Sequence, residues 1–166
     1  MTDLEVFCDY VCPFCYKGYG FLKELSPQHA DINVIWRLCE VHPRPERAGM
    51  HSDLCIQGLH FAMEQDVDVW EYHNRMFRAA LIDRSNIEDP NVLTGYVTDL
   101  LDPDAFLATL RSGKYEKAVS DANDYAYDWS GVWFLPAYRM GGKKLDAVGG
   151  VGVTKEQLAQ FLDAAG

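Results

Sequence analysis

The sequence predicts an α/β domain: a β-α-β unit opens it, a helical block follows, and a β-β-α unit closes it. Two short segments rich in strand formers, Leu4-Glu5-Val6-Phe7-Cys8 and Ile32 to Leu38, flank a stretch with helical periodicity. From Asp53 to Ser130 the apolar spacing is helical throughout. An aromatic segment around Trp133 to Met140, a Gly141-Gly142 turn and a capped helix complete the pattern.

The first strand ends at Cys8. From Pro13, the residues Tyr16, Tyr19, Leu22 and Leu25 trace a helix that Ser26-Pro27 ends, because proline offers no N–H and clashes with the preceding turn. Ile32 to Leu38 is the second strand, expected to run parallel to the first through a right-handed crossover. His42 to Gly49, rich in proline, is a loop. Helices are expected over Asp53–Glu64, Val69–Leu81, from Asp89-Pro90 to Leu101, from Asp102-Pro103 to Leu110, and over Lys114–Ser130. Trp70, Met76 and Phe77 fall at core spacing. Val132 to Met140 reads as a strand interrupted near Pro136, and Leu145 to Val148 as its return. Thr154 and Gln157 form a capping-box pattern opening a last helix to about Ala164.

With 166 residues, the chain is one domain and buries roughly 70% of its unfolded surface, so its core needs neither disulfides nor metal. There is no repeat, low-complexity tract or linker. The net charge of −10 repels phosphate backbones and argues against nucleic acid as a partner. No apolar run is long enough to span a membrane. Met1-Thr2-Asp3 begins no secretory signal, so a cytoplasmic location is expected. Five cysteines, an odd number, argue against a disulfide framework and for catalytic or metal-binding thiols beside buried ones.

Cys12-Pro13-Phe14-Cys15 lies between a strand and a helix. There Cys12 meets unpaired N–H groups and the positive end of the helix dipole, which favour the attacking thiolate. Pro13 suits the first turn, and two intervening residues let Cys15 return onto Cys12. Structural zinc would need a second ligand pair; Cys39, Cys55 and the scattered histidines offer none, so no metal is assigned. A sharper competitor is C-x-x-x-C-x-x-C at Cys8, Cys12 and Cys15, which resembles the four-iron–four-sulfur motif of radical S-adenosylmethionine enzymes. Cys8 within a strand, and Trp36-Arg37-Leu38-Cys39-Glu40 where that class carries glycines and an acid, weigh against it.

Taken in order, these segments resemble the DsbA-like family, and within it the FrnE-type branch related to hydroxychromene-carboxylate isomerases. Phe7 to Cys15 is similar to the family's strand, acidic residue and dithiol. Trp36 to Pro43 resembles its second strand and loop. Met76 to Ala80 and Ile87 to Leu93 resemble its inserted helices. Gly131 to Tyr138 falls at its cis-proline loop, and Val148-Gly149-Gly150 at its glycine turn. The resemblance implies a thioredoxin-like fold with an inserted all-helical subdomain, with 1–48 and 131–166 as core and 49–130 as insertion. It also implies thiol–disulfide oxidoreductase activity, as disulfide isomerase or reductase, on protein or peptide clients. A dithiol or glutathione would be the redox partner, with no cofactor. Having both Cys12 and Cys15 places the chain on the redox side of the family.

Cys12 would attack and Cys15 resolve; Pro13, Phe14, Leu135 and Pro136 would bind substrate. Pro136 would be cis, turning the Leu135 backbone toward an extended peptide. The family usually has a smaller or polar residue before that proline. Trp133-Phe134-Leu135 departs from this and suggests an apolar rim, although composition alone would place Phe134 in the core. That segment also motivates a peptide-binding holdase with a secondary dithiol. Asp9, and with less support Glu40, are candidates for proton transfer; Cys8, Cys39 and Cys55 read as buried thiols. Pro-Phe supplies no cation to the thiolate, so a potential between strong oxidants and strong reductants is expected.

Overall fold

The computed structural model describes residues 1–164. Four strands, β1 (Thr2–Cys8), β2 (Ile32–Leu38), β3 (Ala137–Met140) and β4 (Lys143–Asp146), form one sheet in the order β2-β1-β3-β4. β1 and β2 are parallel, in register from Thr2 opposite Ile32 to Cys8 opposite Leu38. β3 runs antiparallel to β1, with Phe7 opposite Ala137, and β4 antiparallel to β3. Helix α1 (Pro13–Leu25) joins β1 to β2 and packs against α7 (Lys155–Asp163). Between β2 and β3 lie α2 (Asp53–Glu64), α3 (Val69–Phe77), α4 (Pro90–Gly95), α5 (Pro103–Ser112) and α6 (Glu116–Asp124).

Local chemistry explains most of these boundaries. Asp89 and Asp102 each cap a helix that begins with proline; their carboxylates accept from Asn91 N at 2.8 Å and Asp104 N at 3.0 Å. The capping box closes at both bonds: Gln157 N donates to Thr154 Oγ1 at 3.1 Å, and Thr154 N to Gln157 Oε1 at 2.9 Å. Gly141 and Gly142 take φ of 55° and 75°, the left-handed pair that a two-residue hairpin turn demands.

Several expectations need correction. β3 starts only after Pro136, and residues 132–136 form no strand, because proline has no N–H to give a ladder. The return strand is Lys143–Asp146, not Leu145–Val148, because the tight turn sets Met140 opposite Lys143; Val148 instead bridges to Gly152. The helix expected to reach Leu101 ends at Gly95 and continues as turns. The last turns of the helices starting at Val69 and Glu116 widen to π geometry, over Arg78–Ile82 and Tyr125–Trp129.

An aromatic seam ties α3 to α1, β2 and the end of β1. Phe77 packs on Tyr10, Tyr16 and Tyr19 with centroids 5.2, 5.3 and 5.5 Å away, and Trp36 meets Trp70 edge-on at 5.0 Å. Such pairs add about 0.5–1.5 kcal/mol each beyond area burial. Met76 and Phe77 are fully buried, as expected, while Trp70 stays partly open at the seam's edge.

Helix α1 also lies hard against the segment that leads into β3. A Cβ on Gly18 would stand 2.6 Å from the Tyr138 hydroxyl and 3.3 Å from Pro136 Cγ, whereas one on Gly20 would meet nothing within 4 Å. Gly18→Ala is therefore expected to destabilise the protein by about 1–3 kcal/mol. Gly20→Ala should stabilise it by up to about 1 kcal/mol through helix propensity. Urea unfolding midpoints of the two variants check both signs.

Candidate active site

Cys12 is the N-cap of α1. Its backbone is extended (φ −98°, ψ 113°), its carbonyl accepts the first helical hydrogen bonds, and its sulfur accepts from Cys15 N at 3.4 Å. Cys12 Sγ also lies 3.8 Å from the Leu135 carbonyl, to which the protonated thiol donates. The peptide bond between Leu135 and Pro136 is cis. Cys12 is half-buried, while Cys15, one turn along, is sealed with its sulfur 3.5 Å from the Asp9 N–H.

The two thiols are thereby driven apart. The hydrogen bond from the Cys15 side chain holds the Cys12 thiol below its ordinary pKa; partial burial opposes this, and the N–H groups of Cys15 and Phe14 reinforce it. Burial pushes Cys15 well above the ordinary range, and the proton it shares with Cys12 pushes further. Cys8 and Cys55 are raised well above by burial, and Cys39 is pushed up to about 12 by the same cause. All five thiols are free. Cys8 is the last residue of β1, not part of a loop, so the three-cysteine spacing spans a strand end and a helix start.

Asp9 follows β1 and is fully buried. Its Oδ2 accepts from Val41 N at 2.6 Å and its Oδ1 more weakly from Val11 N at 3.4 Å. Burial raises its pKa; neighbouring Ser52 and the backbone N–H groups pull the other way. The Ser52 hydroxyl itself falls outside hydrogen-bond geometry with any partner. Glu40 is raised mainly by burial and is held by α6 and the π turn that follows it: its Oε2 accepts from Asn123 Nδ2 at 2.8 Å, its N donates to Asn123 Oδ1 at 2.8 Å, and its carbonyl accepts from Tyr127 OH at 2.7 Å.

Cys12, Phe14, Glu40, Val41, Phe134 and Leu135 are among the residues lining a mainly apolar cleft of about 400 Å³. A larger groove of about 700 Å³ lies between β2 and helices α2, α3 and α6 and contains no cysteine. The cleft does not gather every expected residue: Pro13 is exposed on the first turn outside it, and Pro136 packs beneath it on α1. Trp133 and Phe134 are 87% and 53% exposed, so Phe134 is rim and not the core residue that composition suggests. Sequence reasoning missed Ser52, Asn123 and Tyr127. The last two lie four apart, a helical spacing, but nothing local ties them to Glu40.

A family model described as DSBA-like thioredoxin domain matches residues 3–163. The chain belongs to that family. The Bacillus subtilis (strain 168) protein YwbO is 24% identical to it, over 95% of this chain and 96% of YwbO. Among solved DsbA-type structures, a probable DsbA oxidoreductase from Streptomyces coelicolor superposes with TM-score 0.82 at 17% identity, covering 99% of this chain and 90% of that one. The cytosolic disulfide reductase DsbM from Pseudomonas aeruginosa, solved with GSH, gives 0.73 at 15%, covering 98% of each. These likenesses establish a thioredoxin fold with a helical insertion, and family membership supports thiol–disulfide oxidoreductase chemistry in general terms. Among the described residues, no helix is long and apolar enough to cross a membrane.

This DsbA-like geometry makes the five thiols unequal. In the native reduced protein near neutral pH, iodoacetamide is expected to label Cys12 alone, with the other four reacting only after unfolding. Peptide mapping reads this directly. The rate should rise with pH to a plateau below the ordinary thiol range. The folded pKa of Cys12 is depressed, so its contribution to the stability of the reduced protein is present above the unfolded thiol pKa. That contribution is lost as pH falls through the folded value.

Proposed function

We propose that the protein is a thiol–disulfide oxidoreductase, a disulfide isomerase or reductase, acting on protein or peptide clients through Cys12 and Cys15. The observation that carries this is the split between the two thiols: Cys12 half-open at the α1 N-terminus with a depressed pKa, Cys15 sealed behind it with a raised one. That asymmetry suits a nucleophile and a resolving group.

The Cys12 thiolate attacks one sulfur of a client disulfide. A Cys12–client bond forms, the client S–S bond breaks, and the departing thiolate takes a proton. Cys15 then loses its proton and attacks the Cys12 sulfur, forming the Cys12–Cys15 disulfide and releasing the second client thiolate. The client gains two electrons and the dithiol loses them. An external dithiol, or two molecules of glutathione, returns them. Phe14 and Leu135 face the client, and the Leu135 backbone offers it a short strand edge; Pro13 and Pro136 shape the turns that present them. Asp9, fully buried beside the dithiol with a pKa raised by burial, is assigned as the base for the second step.

The test is equilibration across a glutathione redox series, with alkylation and mass spectrometry at each point. A reversible two-electron transition confined to Cys12 and Cys15 is expected, with a midpoint between those of strong oxidants and strong reductants. Cys15→Ser should accumulate the Cys12–client mixed disulfide. Absence of a Cys12–Cys15 disulfide at every poise would overturn the reading. Asp9→Asn is expected to slow release of client from the mixed disulfide about 100-fold near neutral pH. It should also remove the rise of that rate with pH through the Asp9 pKa, as stopped-flow measurements would show.

A further inference from the structure

Beside the dithiol cleft lies a second cavity, of about 550 Å³. Glu40 and Pro43 line both, so the two adjoin at these residues. Its other walls include Asp53, Gln57, Glu116 and Asp124, four carboxylates in all counting Glu40, against the single guanidinium of Arg44. Three acceptor atoms of lining residues have no hydrogen-bond partner: Glu40 Oε1, Asp53 Oδ1 and Gln57 Oε1. Glu40 and Gln57 are only 5% and 2% exposed, so bulk water does not compensate them. Buried acceptors without donors are costly, and more so when the group is charged. Asp53 and Gln57 sit four apart on α2 and share a face, and the Asp53 charge reaches Glu40 closely enough to help raise its pKa.

What the cavity lacks is a multiple hydrogen-bond donor carrying positive charge. Arg44 supplies it only in part: its Nε stands 3.5 Å from Asp53 Oδ2, its Nη2 is 3.2 Å from Glu88 Oε1, and its side chain is half-exposed. Among the described residues, no three acidic, histidine or cysteine side chains are grouped to hold a metal ion. An organic cation fits better, and a cavity adjoining the cleft lies within reach of a side chain on a peptide bound there. We propose that this cavity is a specificity subsite for a lysine or arginine side chain of the client peptide, close in sequence to the cysteine that Cys12 attacks. The proposal rests on the oxidoreductase reading above and adds its substrate class: disulfides in basic sequence surroundings.

The test uses the full chain, recycled by glutathione, and three peptide disulfides that differ at one residue near the cysteine: arginine, its neutral isostere citrulline, or glutamate. Wild type is expected to favour arginine over citrulline by about tenfold in kcat/KM, mostly through KM, as placing the charge on one hydrogen bond would give. Glutamate should rank last. Glu40→Gln and Asp53→Asn are expected to bring the arginine-to-citrulline ratio toward one. Glu24→Gln removes the same charge on α1 and should leave the ratio in place. Arg44→Gln, at a half-exposed residue, should raise it by removing the competing cation. Equal rates for arginine and citrulline in wild type, or an equal fall in Glu24→Gln, would overturn the subsite while the turnover itself upheld the oxidoreductase. Reaction with none of the peptides would overturn both.

Discussion

The close approach of α1 to the chain entering β3 is the constraint on which the site depends. The Cys12 sulfur can sit 3.8 Å from the Leu135 carbonyl only if the helix and the Leu135-Pro136 segment touch. Gly18 permits that contact, because its missing Cβ is the space that the Tyr138 hydroxyl and the Pro136 ring occupy. The glycines after β4 continue the same packing. A Cβ on Gly152 would stand 2.8 Å from Phe14, and one on Gly149 would stand 2.8 Å from Phe134. Both lips of the cleft are therefore set by backbone approaching side chain, an arrangement that tolerates little added volume.

From that contact follows the chemical inequality of the cysteines. The same turn that opens Cys12 to the cleft turns Cys15 inward, between Asp9 and the core. One sulfur gains donors; the other loses water. Neither effect needs a cationic neighbour, which the Pro13-Phe14 pair does not supply. The remaining three thiols, like Cys15, are raised chiefly by burial, which sets four of the five cysteines apart from Cys12.

The helical insertion contributes more than coverage. Through Asn123 and Tyr127 it fixes both the side chain and the backbone of Glu40 at the mouth of the cleft, and through α2 it brings Asp53 and Gln57 beside it. The aromatic seam around Phe77 holds this block against α1 and β2. The cleft that holds Cys12 thus takes part of its wall from the insertion, and the adjoining cavity takes three of its four carboxylates from it.

The sequence by itself determined whatever one element settles alone. Cys12 at a helix start after a strand, proline after a capping aspartate, the capping box at Thr154 and the glycine pair in the hairpin are all fixed by hydrogen bonds or dihedral limits within a few residues. Boundaries that depend on neighbours were less legible. The strand before Pro136 did not form, and the register of β4 followed the turn instead of the apolar pattern. Only the tertiary structure decided that Leu135 meets Cys12 across 123 residues, and that Asn123 meets Glu40 across 83. It also decided that Val41 holds Asp9 and that Trp133 and Phe134 face solvent. Contacts of that separation carry no local signature, because they arise from how whole elements pack, and a side chain's exposure is a property of its neighbours more than of its own type.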